Sequence, residues 1–162
     1  MKINIYSRLF MTLLAASLLV PASVFAQVAF SDRPSEITSL QASANECATT
    51  QGMTVCLNAL SLAEMFRKRN AYSENSFESI TLNAVELLPL HMLAQLYLRD
   101  ADKSTACEYA RRGETQIVEI SEQSRRLSEQ DPEAFQSIDN TLLQLDGLKT
   151  QFSEVQAYCP GT

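Results

Sequence analysis

Two long stretches near the end of the chain carry apolar residues at helical spacing and mirror one another about a corner. From about Asp102 to Gln130, the positions Ala106, Ala110, Gly113, Ile117, Ile120, Ser124 and Leu127 recur at alternating fours and threes, one continuous helix face. Asp131-Pro132-Glu133 then supplies an N-cap, a proline at the first helical position and an acid in the first turn. It starts a last helix to about Tyr158, with Phe135, Ile138, Leu142, Leu145, Leu148, Phe152, Val155 and Cys159 on its seam. Spacing slips by one at Leu148, just after Gly147, which points outward. Cys107 precedes the corner by about as many residues as Cys159 follows it, so an antiparallel pair brings the two cysteines together at its open end. The same count places Gly113 opposite Lys149 to Phe152 and predicts that Phe152 lies over the missing side chain.

Earlier in the chain the pattern is again helical. Ile37, Leu40, Ala44 and Cys47 share a face of a first helix from Ser35. A turn follows over Ala48 to Gly52, with Gly52 suited to a left-handed conformation. The second helix, about Thr54 to Arg69, turns Val55, Cys56, Ala59, Leu62, Ala63 and Phe66 inward. Its Arg67-Lys68-Arg69 end reads as a solvated last turn whose cations favour the negative end of the helix dipole. A polar link follows, with Ser73 as the expected N-cap of a third helix.

That third helix, Phe77 to Leu98, is the most apolar segment after the first 26 residues. Between Leu82 and Leu98 only Asn83, Glu86, His91 and Gln95 are clearly polar. A helix apolar nearly all round is one surrounded by other helices. Pro89 sits inside it and predicts a kink or a break, because proline lacks the amide hydrogen and crowds the preceding turn. Asp100 or Asp102 caps the next helix, whose outer face mixes Glu108 with Arg111 and Arg112, and Glu122 with Arg125 and Arg126, as a solvated face. No alternating run flanks a hairpin dipeptide. The expected fold is all-α: a disulfide-stapled bundle of about five helices ending in a long antiparallel helical hairpin.

The first 26 residues change where this fold is placed. Lys2 and Arg8, the uncharged run Leu9 to Val20, Pro21, and Val24-Phe25-Ala26 with small residues at its first and last positions form a bacterial-type signal peptide cut after Ala26. The apolar run is shorter than the ~20 residues of a membrane span, and no cysteine follows the cut to take a lipid. Residues 27–34 form a flexible start and 35–162 a single helical domain. The expected location is the periplasm or the outside of the cell. Two of the 13 Lys and Arg lie in the leader and none of the 19 Asp and Glu do, so the remaining chain is strongly acidic. Such a surface repels nucleic acid and anionic lipid, which excludes both as partners. Oxidising conditions make two disulfides the default for the 4 cysteines. Of the three pairings, helix geometry favours Cys47–Cys56 across a tight corner and Cys107–Cys159 across the hairpin.

Candidate chemistry is sparse. His91 is the only histidine, two residues after Pro89, and Glu86 is an acid inside the same apolar run. They are five apart, off the i,i+4 line, but a kink brings them within reach, which defines the enzymatic alternative. The structural alternative is a core histidine bonded to a backbone carbonyl freed by the proline, and a buried polar pair. Paired cysteines leave no thiol nucleophile, and no C-x-x-C, C-x-x-C-H, phosphate-cradling glycine loop or calcium loop occurs. No metal or other cofactor is expected.

Residues 87–120 resemble a single degenerate tetratricopeptide unit, a 34-residue helix–turn–helix repeat. Leu90, Leu93, Ala94, Tyr97, Ala106 and Gly113 stand where that pattern wants large, large, small, aromatic, small and small residues. Ala110 replaces the expected later aromatic and Val118 the late proline, and no second unit follows or precedes. The resemblance implies helix-pair packing and a concave protein-binding face. The expected function is a non-enzymatic periplasmic module, adaptor or chaperone-like, that binds another protein or peptide. Its groove would lie near the kink, at Glu86, Pro89, His91, Gln95 and Tyr97, on apolar surface that the other helices leave uncovered. A periplasmic immunity or inhibitor protein that neutralises a toxin is the second expectation.

Overall fold

A computed structural model describes residues 35–70, 72–136 and 139–159. The expected leader, the flexible start, and the seam side chains Ile138 and Leu142 lie outside the described residues. Helical segments in chain order are α1 (Ser35–Thr50), α2 (Met53–Asn70), α3 (Phe77–Arg99), α4 (Lys103–Gln130), α5 (Pro132–Gln136) and α6 (Asp139–Gln156). No strand occurs among the described residues. The chain is an all-α bundle, and α5 and α6 together occupy the span expected to form one last helix.

Helix α3 is the hub and packs on α1, α2, α4 and α6. Every residue from Ile80 to Ala94 is buried, and Leu96 with them. Each fully buried Leu, Ile or Val contributes about 1.5–3 kcal/mol relative to exposure. The helix does not break at Pro89: helical conformation is continuous from Phe77 to Arg99, with the proline ring in the core. Packing on all sides holds the turn together where one backbone hydrogen bond is missing.

The ends show how local chemistry sets the corners. Ser76, not Ser73, caps α3: its hydroxyl accepts from the Ser79 amide at 3.2 Å. At the other end Asp102 N–H reaches the Tyr97 carbonyl at 2.9 Å and Ala101 N–H the Leu98 carbonyl at 3.2 Å, with Ala101 at φ 64°. This is a Schellman closure made without glycine. Asp102 then caps α4, accepting from the Thr105 amide at 3.1 Å and its hydroxyl at 2.8 Å. In the α1–α2 corner Gln51 takes the left-handed conformation (φ 49°), not Gly52. Both staples are present: Cys47–Cys56, fully buried, and Cys107–Cys159, half-buried.

The α4 seam is buried from Ala106 to Leu127 as its spacing requires, with Gln123 added. Leu145, Leu148, Phe152 and Val155 of α6 face it. Gly113 and Phe152 meet as the count from the corner predicts. A Cβ built on Gly113 would overlap the Phe152 ring at Cζ and Cε1 and lie 2.6 Å from Cε2. Only a residue without a side chain lets the ring pass. Replacing Gly113 by Ala should therefore lower stability by about 2 kcal/mol, as forced overpacking does. In a denaturant series, the added cost of Gly113→Ala should shrink in a Phe152→Leu background, because a smaller side chain removes the overlap.

Candidate functional site

The polar residues of α3 explain where charge gathers. Asn83 and Glu86, three apart, point to one side of a helix that water does not reach; Glu86 is 1 % exposed. A buried carboxylate without partners is costly, so the neighbouring helices must supply donors. Glu86 Oε2 accepts from Arg67 Nη2 on α2 and from Gln116 Nε2 on α4 at 3.3 Å. Its Oε1 accepts from Arg112 Nη2 at 3.0 Å. Asn83 Oδ1 accepts from Arg67 Nη2 at 3.0 Å, and its backbone carbonyl from Gln116 Nε2 at 2.6 Å. Asn83 Nδ2 donates to Gln123 Oε1 at 3.2 Å, and Gln123 Nε2 donates to Glu119 Oε1 at 3.3 Å.

This network joins α2, α3 and α4. Arg112, Gln116, Glu119 and Gln123 fall at spacings of four, three and four, so they form a polar stripe along α4 beside its apolar seam. Arg67 and Arg112 correct the solvated reading of their helix faces. Their side chains are half exposed, 45 % and 51 %, yet each guanidinium turns one nitrogen inward to the same carboxylate. Lys68 follows the expectation instead, pairing with Glu64 one turn earlier at 2.6 Å. The hydrogen bond from Lys68 holds the Glu64 carboxyl below the usual range, and Lys68, Arg112 and Arg67 charges add to it.

Above the network lies a surface depression of about 330 Å³, lined by Glu108, Arg111, Arg112, Thr115, Gln116 and Glu119. Its floor is thus tied to the core through Arg112 and Gln116. Its rim is of mixed charge.

The five positions expected to form a groove do not share one. Glu86 serves the α2–α4 side, and Pro89 is buried in the core. His91 faces α6, with its ring edge-on to Phe152 (centroids 5.5 Å apart, planes at 84°). Gln95 Nε2 donates to His91 Nε2 at 3.0 Å, which leaves the ring proton on Nδ1. Tyr97 stacks on Tyr109 at 5.6 Å near the end of α3. Glu86 and His91 therefore have separate partners. The apolar surplus on α3 is covered as well; among the described residues, exposed large hydrophobics are scattered at Leu57, Met65, Val118 and Tyr158. Among the described residues no cluster could hold a metal ion, and no helix is long and apolar enough to cross a membrane. Comparison with family models, curated proteins and solved structures finds no match to the chain.

Glu86→Ala removes the acceptor shared by two guanidiniums and Gln116 and should cost about 1–3 kcal/mol in chemical denaturation, because the hydrogen bonds are lost while the guanidiniums left behind are half in water. Arg67→Ala should cost less, because its side chain is half in water. Burial also depresses the His91 imidazole to about 4. The unfolded chain takes up that proton near 6.5, so the stabilising contribution is complete above pH 6.5 and lost as pH falls through about 4. The whole effect is about 3 kcal/mol. It should appear as a stability difference between about pH 7 and pH 4 that is larger in the parent chain than in His91→Gln.

Proposed function

We propose that this chain is a non-enzymatic binding module of an oxidising, extracytoplasmic compartment, which recognises a polypeptide segment through the α4 depression. The observation that carries the reading is the anchoring of Arg112 and Gln116. Both line the depression and both are fixed from beneath by Glu86, so the recognition surface is rigid before a partner arrives. Arginine in a fixed orientation is a frequent anchor of protein interfaces, because its planar fork matches carboxylate and carbonyl groups. Glu108 and Glu119 stand among the same lining residues and oppose a densely charged polyanion. That combination suits one acidic side chain carried on a polar peptide.

The two disulfides and the leader-like first 26 residues support an extracytoplasmic location. The full hydrogen bonding of Glu86 and the separate setting of His91 favour binding over acid–base chemistry. The partner's number and strength distinguish its roles: several weak partners mark an adaptor, and one tight partner marks an inhibitor.

A photo-reactive residue placed at Thr115 in intact cells should cross-link a protein partner, whereas the same residue at exposed Ala42 on α1 should not. Arg111→Glu, at an exposed position of the depression outside the Glu86 network, should weaken the purified complex at least about tenfold while leaving the melting temperature unchanged. Equal cross-linking at Ala42, or an unaltered affinity in Arg111→Glu, overturns this reading.

A further inference from the structure

The two disulfides sit in contrasting surroundings. Cys47 and Cys56 are wholly buried at the α1–α2 corner. Cys107 and Cys159 are both half-buried at the open end of the α4–α6 hairpin. Thiol–disulfide exchange requires a thiolate to approach a sulfur in line with the S–S bond, so access decides which bridge reacts first. Cys159 also lies just beyond the end of α6, and the bridge returns it to the first turns of α4 across 52 residues of sequence. The described part of α6 has four buried apolar side chains, Leu145, Leu148, Phe152 and Val155, where α3 buries its full circumference. Ser153 adds one exposed hydrogen bond to Glu114 at 3.2 Å.

We propose that Cys107–Cys159 is a redox latch: a dithiol reductant opens it selectively and releases α6 from a bundle that the buried Cys47–Cys56 bridge keeps folded. The thiolate of the dithiol attacks one sulfur, forming a mixed disulfide and expelling the other cysteine as a thiolate that takes a proton. The second thiol of the reductant then closes its own disulfide and frees the remaining cysteine. Two electrons and two protons pass from the dithiol to the bridge. Loss of the loop constraint raises the opening of α6 about a thousandfold in the chain-entropy model. Phe152 then leaves Gly113 and His91, and the seam of α4 around Ala110, Gly113 and Ile117 meets water.

The test is graded reduction of the full chain with dithiothreitol at about pH 7, followed by thiol alkylation and peptide mapping. Cys107 and Cys159 should be labelled at reductant levels that leave Cys47–Cys56 intact. In that partly reduced protein, hydrogen exchange should accelerate within residues 139–156 while α1 to α3 stay protected. His91, the only histidine, gives a single set of imidazole resonances. Its titration should move from the depressed range of the oxidised protein toward that of an exposed imidazole. The Cys107→Ser, Cys159→Ser double variant should reproduce the same pattern without reductant. Reduction of both bridges together, unchanged protection in 139–156, or global unfolding of the double variant each overturns the latch.

Discussion

A helix shut off from water must satisfy its own polar groups, and that constraint organises this molecule. Fifteen successive residues of α3, from Ile80 to Ala94, are buried. Once Asn83 and Glu86 occupy that stretch, every donor and acceptor they need must come from neighbouring helices. Arg67 from α2, and Arg112, Gln116 and Gln123 from α4, answer that need, and in doing so fix the register of both helices against α3. Apolar packing alone tolerates small slides; a carboxylate held by three side chains from two directions does not. The result is a charged surface whose geometry is set from the inside.

Much of the architecture is legible in the sequence because it rests on periodicity and counting. The seam from Ala106 to Leu127, the fit of Phe152 over Gly113, and both cysteine pairings follow from spacing about the corners. Of the kink or break that proline at position 89 predicts, the break is absent: helical conformation runs through the residue from Phe77 to Arg99. Burial on all sides overrides a local preference that decides the outcome in a helix standing alone. The left-handed corner at Gln51 and the Schellman closure at Ala101 escape the sequence for a related reason: neither uses the glycine that signals such a turn.

The site is less legible than the fold. Arg67 and Arg112 look from their own helices like ordinary solvated cations, at a helix end and on an outer face. Their role is visible only when α2, α3 and α4 are placed side by side, since Arg67 and Glu86 are 19 residues apart and Arg112 and Glu86 are 26 apart. One signal is available: Asn83 and Glu86, at i,i+3 in an apolar run, declare an unmet requirement for donors. His91 draws attention as the only histidine, but its neighbours are Gln95 and the Phe152 ring, away from Glu86.

The order of the cysteines has a consequence for biogenesis. Each bridge joins residues adjacent in the series of four: the first with the second, the third with the fourth. A chain made N-terminus first presents Cys47 and Cys56 before Cys107 has emerged. The pair nearest in sequence is then the only one available to an oxidant. Cys107 next waits for Cys159 with its earlier rivals already sealed. Sequence order itself sorts the pairings, because neither bridge encloses a cysteine of the other.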